Sequence, residues 1–428
     1  MNIAIIGSGI SSLVAARKLH TDHQITVFEA NNYIGGHTNT VDVDTSEGKF
    51  SIDTGFIVFN DRTYPNFIRL LDELKVESQP TIMSFSVKCE RTGLEYRGAD
   101  LQGMFAQKRN LVNPRFYQLI YDLLRFNSLG NKLLLDSVAA EPETVRSFLR
   151  RHRFSQPFIH QYFLPMGAAI WSASTGSFED FPVHFICEFY KNHGLLGISD
   201  RPQWRVIKGG SRSYIRPLCE PFEKHIRLNQ KVVSVRRLPD RINSSYDPKI
   251  ELTTKSGETL NFDHVVFGCH SDQSLAILGE AATDDEREIL SAFPYQKNIA
   301  KLHTQFDVLP IRKNAWASWN YYNSTEPAQS ATVTYNMNIL QSLNTETVFC
   351  VTLNDANRIR DENVLRTFTY QHPTFNIDRR KMQQRHAELI NKNSTSFCGA
   401  YWGNGFHEDG VVSGQRVADS ILKSGVKC

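Results

Sequence analysis

The sequence lacks several features that would assign the protein to common classes. No run of apolar residues approaches the length needed to cross a bilayer, and the N-terminus is a predicted core strand instead of a signal peptide. Seven cysteines are scattered without a C-x-x-C pair, which indicates reduced thiols and no zinc site. A net charge of +3 gives no electrostatic basis for binding nucleic acid. We therefore expect a cytoplasmic protein that binds neither zinc nor nucleic acid.

What the sequence does contain is a nucleotide-binding pattern near its N-terminus. A predicted strand over residues 3–6 leads into a turn with Gly7 and Gly9 and then into a helix, so backbone N–H groups and the positive helix end face a pyrophosphate. Glu29 ends a second apolar strand about twenty residues further on, where its carboxylate can accept both hydroxyls of an adenosine ribose. Ser12 replaces the third glycine of this fingerprint and is small enough for close packing. The pattern predicts a dinucleotide clamp.

The remaining chain changes character several times. Residues 64–154 show helical spacing, and residues 299–352 are β-rich and aromatic. A chain of 428 residues exceeds one ordinary hydrophobic core, and it contains no internal repeat or low-complexity linker. We therefore predict two interleaved domains. One is built from residues 1–60, 205–275 and 395–428, and the other from residues 61–204 and 276–394.

Glycines are crowded near the C-terminus. They are Gly399, Gly403, Gly405, Gly410 and Gly414. We interpret them as a loop whose backbone lies against a flat or bulky partner, followed by a helix over residues 415–423. If that partner is an isoalloxazine ring, N–H groups around Val411 and Val412 would stabilise its reduced, anionic form. The adjacent residues 407–409, His-Glu-Asp, lack metal-ligand spacing, so we predict no metal site.

Taken in order, these motifs resemble those of FAD-dependent amine oxidases and phytoene-desaturase-like enzymes. The chain is most similar to a subgroup of predicted flavoproteins that carry Gly-Gly-His-Thr, here residues 35–38, and Gly-Phe-His-Glu-Asp-Gly, here residues 405–410. That subgroup is associated with cyclopropane-fatty-acid-synthase-type methyltransferases. The resemblance implies an α/β fold in which a Rossmann-like, GR2-type FAD-binding domain is interleaved with an α+β substrate domain.

The resemblance also implies which residues contact FAD. Those near the pyrophosphate, the ribose or the ribityl chain are Gly7, Gly9, Ser12, Glu29 with the adjacent Ala30, Gly35, Gly36, His37 and Thr38. The backbone of Val232 would hold the adenine. Those near the flavin ring are Gly55, Phe56, Phe406, Val411 and Val412, with backbone contacts from Gly399 and Gly405.

Two positions depart from the pattern of the resembled family. Many relatives have an arginine after the paired glycines, where this chain has His37, so a fixed positive charge is missing and the helix dipole must carry more of the phosphate charge. Relatives also commonly place an acidic residue after the glycine of the last loop, whereas Gly399 is followed by Ala400.

A flavin enzyme needs a source and an acceptor of electrons. Members that use NAD(P)H generally carry a second dinucleotide turn in mid-chain, and this sequence has none. We therefore predict hydride transfer from a small-molecule or lipid substrate to flavin N5, with electrons passed to oxygen or another acceptor. No general base is identified, because no spacing rule singles out Lys301 or His303.

The favoured substrate is a fatty acyl chain of a lipid, in particular a methylated one, which would be oxidised or desaturated. The predicted helical layer interleaves large apolar residues with cations, a pattern suited to acidic lipid headgroups at the inner face of a membrane. The alternative interpretation is a solvated helix face over an ordinary hydrophobic core. The apolar residues are Phe105, Leu111, Phe116, Tyr117, Phe126, Leu133, Leu134 and Leu135, and the cations are Lys108, Arg109, Arg115 and Arg125.

Two alternatives from other classes stay open. An oxidase of primary amines or polyamines would hold its amine between aromatic faces, although the same aromatic residues could simply pack a β-layer. The candidates for such a cage are Trp316, Trp319, Tyr321, Tyr322 and Trp402. A non-catalytic binding protein of the same fold is the second alternative, because fold alone does not determine function.

Overall fold

The computed structural model describes residues 1–135, 143–171, 175–197, 201–239, 249–324, 331–355, 357–374 and 378–424. Its strands are β1 (Asn2–Ile6), β2 (Gln24–Phe28), β3 (Thr40–Thr45), β4 (Gly48–Asp53), β5 (Val58–Asn60), β6 (Ser78–Pro80), β7 (Phe85–Cys89), β8 (Leu94–Arg97), β9 (Trp204–Ile207), β10 (Ile226–Arg227), β11 (Val232–Arg237), β12 (Ile250–Thr254), β13 (Thr259–Phe262), β14 (His264–Phe267), β15 (Tyr295–His303), β16 (Trp319–Asn323), β17 (Thr332–Asn336), β18 (Cys350–Leu353), β19 (Val364–Pro373) and β20 (Thr395–Phe397). Its α-helices are α1 (Ile10–Leu19), α2 (Pro65–Glu73), α3 (Leu101–Met104), α4 (Pro114–Leu135), α5 (Val145–Arg151), α6 (Gln156–Phe158), α7 (Leu164–Trp171), α8 (Thr175–Glu179), α9 (Val183–Asn192), α10 (Ile215–Cys219), α11 (Ser271–Leu278), α12 (Asp284–Ser291), α13 (Met337–Leu340), α14 (Arg379–Gln384) and α15 (His407–Ser424).

A five-stranded parallel sheet forms the centre of the nucleotide-binding half. Its strand order is β10-β2-β1-β14-β20, and each neighbouring pair is parallel. β1 is buried at all but its first residue, because both faces of a parallel sheet are covered and its strands read as continuous apolar runs. The helix α1 follows β1 directly and packs against α15, so the two ends of the described chain meet on one face of this sheet.

Antiparallel pairing dominates the rest of the molecule. A seven-stranded sheet has the order β19-β15-β18-β17-β16-β7-β8, in which only the β16 and β7 pair is parallel. Smaller sheets join β11-β12-β13, β5-β9-β6 and β3-β4. The predicted mixed α/β class with a parallel sheet is confirmed. The exact domain boundaries stay a prediction.

One part of the predicted helical stretch is wrong. Residues 78–97 lie inside the region assigned to helices, yet they contribute β6, β7 and β8. β7 is buried at four of its five residues because it lies inside the seven-stranded sheet, so the polar-apolar alternation that reveals a half-exposed strand is missing. Helices do follow, with α4 the longest of them at 22 residues.

A cluster of buried rings, which we call the aromatic layer, fills the space around α4 to α9. Its rings belong to Phe116, Phe126, Phe148, Phe154, Phe158, Phe163, Trp171, Phe178, Phe181, Phe189 and Tyr190. Phe116 and Phe126 were predicted to form part of a surface and are instead 2% and 1% exposed, because they occupy the core side of α4. No helix of the described residues is long and apolar enough to span a membrane. The six described cysteines carry no disulfide, and Cys428 lies outside the described residues.

Candidate functional site

The turn between β1 and α1 has the geometry of a phosphate-binding site. Gly7 has a φ of 95°, which favours glycine, and its N–H donates to the Phe28 carbonyl at 2.8 Å. Gly9 is the N-cap of α1, and no side chain caps this helix end. A Cβ built on Gly9 would meet no atom within 4 Å, so open space lies beside the N–H groups of the first helical turn.

Ser12 allows the close packing that was predicted from its size. It is buried, and a Cβ on Gly268, the residue after β14, would overlap its Oγ. The Ser12 hydroxyl has no hydrogen-bond partner among the described residues. A larger side chain at position 12 would therefore push α1 away from the end of β14.

Glu29 lies at the carboxyl end of β2 with both carboxylate oxygens engaged. Oε2 accepts from the Ser8 N–H at 2.9 Å and from the Ser8 hydroxyl at 2.6 Å. Oε1 accepts from the N–H and the Nδ2 of Asn31, each at 2.8 Å. The carboxylate is buried and orders the turn on either side of it. The Ser8 hydroxyl and the Asn31 Nδ2 must release the carboxylate before it can accept hydrogen bonds from ribose hydroxyls.

The paired glycines bring a second loop onto the phosphate turn. Gly35 and Gly36 have φ values of 124° and 60°, and a Cβ on Gly36 would lie 3.3 Å from the Gly9 Cα. The Gly35 N–H donates to the Ser8 hydroxyl at 3.2 Å. Backbone thus lies against backbone here, as predicted for a loop that returns toward a pyrophosphate.

Gly55 and Phe56 are placed by contact with the same loop. A Cβ on Gly55 would overlap the carbonyl oxygen of His37, and the Phe56 N–H donates to that oxygen at 2.8 Å. The Phe56 ring then stacks on the imidazole of His407, with centroids 3.5 Å apart. These contacts bring residues of the second loop, the turn after β4 and the C-terminal segment together.

Hydrogen bonds among Thr38, Tyr214 and His407 hold these segments together at a place that we call the junction. Thr38 Oγ1 lies 2.5 Å from the Tyr214 hydroxyl and 3.0 Å from His407 Nε2, and Tyr214 lies 3.0 Å from the same nitrogen. Burial lowers the pKa of His407 to about 3 and raises that of Tyr214, so all three groups are neutral at pH 7. Sequence reasoning missed Tyr214, since nothing in the residues around it marks a site.

His37 belongs to a cluster of half-buried and buried rings that the sequence did not reveal. Its imidazole centroid lies 5.2 Å from Tyr370, 5.6 Å from His372 and 6.0 Å from His270. Burial lowers the pKa of His37 and of His270 to about 4, and that of His372 to about 3. His37 Nε2 is buried and has no partner among the described residues. His270 follows β14 at the carboxyl edge of the parallel sheet, a position that could have marked it as a candidate.

The C-terminal segment corrects one part of the sequence prediction. The last helix, α15, begins at His407, eight residues before the predicted start, so Val411 and Val412 lie inside it. Their N–H groups are in the helical ladder and do not face a ring from a loop, and Val411 is fully buried. A Cβ on Gly414 would overlap the Ser11 carbonyl oxygen, so this glycine permits contact with α1 and not with a flavin.

Each residue of the His-Glu-Asp triplet has its own protein partner. Glu408 accepts from the N–H groups of Asn66 and Phe67 at 3.0 and 2.9 Å, so it caps the N-terminus of α2. Asp409 Oδ2 accepts from the Phe406 N–H at 2.8 Å, and burial raises the pKa of Asp409 to about 6. Among the described residues, no cluster of ligand side chains suited to a metal ion is present.

The other predicted site residues lie around this junction. Val232 is buried at the start of β11, and the N–H of Gln230 donates to the Glu29 carbonyl at 2.8 Å, so this segment adjoins the predicted ribose site. Ala30 is exposed beside it. Gly399 is buried, and its N–H donates to Ser413 Oγ at 3.1 Å. Gly405 has a φ of 89° and lies directly before Phe406.

The residues considered for base catalysis and for an amine cage are dispersed. Lys301 pairs with Asp355 at 3.0 Å, and His303 lies 2.7 Å from Thr352 Oγ1, both within the seven-stranded sheet. Trp402 stacks on His386 at 3.9 Å, and Tyr322 lies under the Arg358 guanidinium. Trp319 and Tyr321 both adjoin the aromatic layer, whereas Trp402 belongs to a different core cluster, so the five aromatic residues do not form one cage.

The residues present fit the nucleotide part of FAD. The uncapped end of α1 and the open space at Gly9 offer N–H donors and room for a pyrophosphate. Glu29 offers the acceptors that a ribose needs. The individual contacts of these residues with FAD stay predictions.

Comparison with known proteins supports the same cofactor. The model of the flavin containing amine oxidoreductase family matches residues 10–422. Solved structures with the same fold include a putative protoporphyrinogen oxidase from Exiguobacterium sp. 255-15, with 16% sequence identity, 99% coverage of both chains and a TM-score of 0.68. Cyclohexylamine oxidase from Brevibacterium oxydans IH-35A matches with 16% identity, coverage of 99% of this chain and 98% of that chain, and a TM-score of 0.67. A CLA-producing fatty acid isomerase from P. acnes matches with 14% identity, coverage of 99% and 98%, and a TM-score of 0.65.

Proposed function

Because the chain belongs to the flavin-containing amine oxidoreductase family and is an FAD-dependent oxidoreductase, we propose that its substrate is a fatty acyl chain of a lipid. The favoured reaction is oxidation or desaturation of that chain, in particular a methylated one. A bound FAD would supply the hydride acceptor, at its N5 atom, and a route for the electrons to oxygen or another acceptor. The substrate would lose two hydrogens from adjacent carbons, one as hydride and one as a proton.

The observation that carries the proposal is the position of Phe406. Its ring packs both against the core that includes α1 and α15 and against the aromatic layer. The Phe189 ring stacks on it with centroids 5.4 Å apart, and the His193 ring lies 6.0 Å away. Phe406 is also the residue before His407, which stacks on Phe56. The predicted flavin site therefore adjoins the aromatic layer.

The chemistry of these neighbours favours an uncharged substrate. Burial lowers the pKa of His193 to about 4, so its ring is neutral at pH 7. The rings of Phe189, His193 and Phe406 carry no charge to replace the hydration that an alkylammonium ion would lose here, and the Asp409 carboxylate beside them already accepts from the Phe406 N–H, whereas an acyl chain has no such hydration to lose. The rings would exclude water and hold a C–H bond in a fixed orientation. The similarity to a fatty acid isomerase and the resemblance to a subgroup linked to lipid methyltransferases support the same substrate class.

Amine oxidation is the second candidate. It is favoured by the family itself and by the structural similarity to cyclohexylamine oxidase. The substrate would then enter as the neutral amine, because the rings around Phe406 offer no counter-charge.

One experiment distinguishes the two candidates. The FAD-loaded protein is incubated anaerobically with phospholipids that carry saturated or methyl-branched acyl chains, and in parallel with cyclohexylamine and putrescine. We expect the lipids to bleach the flavin absorbance and to lose two hydrogens by mass spectrometry. Bleaching by amines without any change in the lipids would overturn the proposal in favour of amine oxidation.

A pair of matched variants ties the reaction to this place. Phe406→Leu should slow flavin bleaching by the lipid, because it removes a ring between the predicted flavin site and the aromatic layer. Phe306→Leu is the control, since Phe306 is 55% exposed and packs near Trp316. Equal rates in both variants and in the wild type would contradict the role assigned to Phe406.

A further inference from the structure

We infer that the surface of residues 101–124, here called the α3–α4 surface, binds a bilayer that contains anionic lipids. The apolar side chains exposed there are Leu101, Leu111, Val112, Tyr117, Tyr121 and Leu124. Val112 is 83% exposed and Tyr121 is 65% exposed. Scattered apolar residues are normal on a protein surface, but several within one short segment mark an interaction site.

The exposed side chains form one continuous surface. Tyr117, Tyr121 and Leu124 are spaced by four and three residues on α4, so they lie on one face of that helix, opposite the buried Phe116 and Phe126. The Tyr117 hydroxyl donates to the Leu111 carbonyl at 2.9 Å, which fixes the preceding 3₁₀ turn beside the first turn of α4. Leu111 and Val112 therefore adjoin the helical stripe.

The charges on this surface that have no partner of opposite sign among the described residues are positive. Within residues 100–124 the acids are Asp100 and Asp122, and each is paired with an arginine: Arg97 with Asp100 at 2.6 Å, and Arg125 with Asp122 at 2.5 Å. This pairing removes Arg125 from the cations that were predicted to face a membrane, and its guanidinium also covers the Phe154 ring.

Three exposed cations are left on this surface. They are Lys108, Arg109 and Arg115, and no carboxylate of the described residues forms an ion pair with any of them. The Arg109 guanidinium is held by the Gly93 carbonyl, which neutralises no charge. Exposed apolar and tyrosine side chains beside unpaired cations are complementary to the interface of an anionic bilayer, where rings sit among the headgroups and cations meet phosphates.

A second copy of the chain fits this surface less well. In a two-fold dimer the same patch of both copies meets, so Lys108, Arg109 and Arg115 of one copy would come close to the same cations of the other. Like charges brought together in this way oppose association, whereas they add to binding at an anionic membrane.

The test is vesicle binding by the FAD-loaded full chain, measured by sedimentation. We expect binding to vesicles of phosphatidylcholine mixed with phosphatidylglycerol, and little binding to phosphatidylcholine alone. Val112→Glu should lower the partition coefficient at least about tenfold, because it replaces an apolar contact with a charge. Lys108→Gln and Arg115→Gln should each lower it about fivefold, and added salt should weaken the binding of the wild type.

Matched controls separate this surface from a general change in charge or stability. Val233 on β11 is also exposed, and Lys255 is an exposed cation after β12, so Val233→Glu and Lys255→Gln should bind vesicles like the wild type. Retained FAD absorbance and melting temperature show that each variant is folded.

Three results would overturn the inference. The first is equal vesicle binding by Val112→Glu and Val233→Glu, and the second is no binding by the wild type at low salt. The third is a concentration-dependent dimer that Val112→Glu dissociates, in a protein that does not bind vesicles. The inference is independent of the proposed substrate, because vesicle binding is measured without turnover. A protein that does not oxidise lipids can still bind vesicles through this surface.

Discussion

Gly9→Ala separates the folding of this protein from its binding of FAD. Gly9 has a φ of −69° and a ψ of 169°, which alanine adopts without strain, and its Cβ would meet no atom within 4 Å. Alanine restricts the unfolded chain, which stabilises the protein, but it is a poorer N-cap than glycine. We therefore expect the free energy of unfolding of the FAD-free protein to change by less than about 1 kcal/mol.

The effect on FAD should be large. The new methyl group would occupy the open space beside the first turn of α1, where the pyrophosphate is predicted to bind. We expect the Kd for FAD to rise at least about 100-fold, which is about 2.7 kcal/mol at 25 °C. Quenching of FAD fluorescence measures the Kd, and thermal unfolding of the FAD-free protein measures stability.

Gly176→Ala is the matched control for this substitution. A Cβ on Gly176, in α8, also meets no atom within 4 Å, so it adds the same methyl group away from the phosphate turn. It should leave the Kd for FAD unchanged. A wild-type Kd in Gly9→Ala would refute the placement of the pyrophosphate, and a large loss of stability in the FAD-free variant would refute the claim that the space is open.

Three further predictions concern the residues that assemble the site. Gly414→Ala should lower the free energy of unfolding in urea by about 1 to 3 kcal/mol, because the new methyl group overlaps the Ser11 carbonyl oxygen and pushes α15 away from α1. Unchanged stability would contradict this packing. Glu408→Gln should lower the free energy of unfolding by about 1 to 2 kcal/mol, because it weakens the cap of α2. EDTA should leave the melting temperature of the wild type and of the variant unchanged. A shift caused by EDTA in the wild type alone would instead indicate a bound metal. Folding lowers the pKa of His37 from 6.5 to about 4, so between these values the unfolded chain binds more protons and stability falls as the pH falls. His37→Phe should reduce the slope of stability against pH in that window by about one proton, and an equal slope in variant and wild type would show that His37 is not buried in its neutral form.

The phosphate turn could be predicted because its signals are local. Gly7, Gly9 and Glu29 lie on one strand-turn-helix-strand unit, in which the spacing along the chain fixes the spacing in space. The structure keeps that geometry. The paired glycines at 35 and 36 could be interpreted for the same reason, since both have φ values that favour glycine.

The junction around His407 could not be predicted, because its parts are distant in the sequence. Thr38 and Tyr214 are separated by 176 residues, and neither has a pattern that marks a buried hydrogen-bond network. The three histidines of the ring cluster, His37, His270 and His372, likewise come from three separate segments. The start of α15 was missed because glycines at 410 and 414 were interpreted as a loop, whereas tertiary packing against α1 overrides the low helix propensity of glycine.

Close approach of one backbone to another is what the glycines of this site have in common. Gly36 lies against Gly9, Gly55 against the His37 carbonyl, and Gly414 against the Ser11 carbonyl. Each contact joins a different segment to the first turn of α1 or to the loop beside it. The position of the predicted pyrophosphate site therefore depends on the packing of distant segments as well as on its own turn. A methyl group at 414 should consequently weaken FAD binding from the far side of α1, whereas a methyl group at 9 should do so by direct contact.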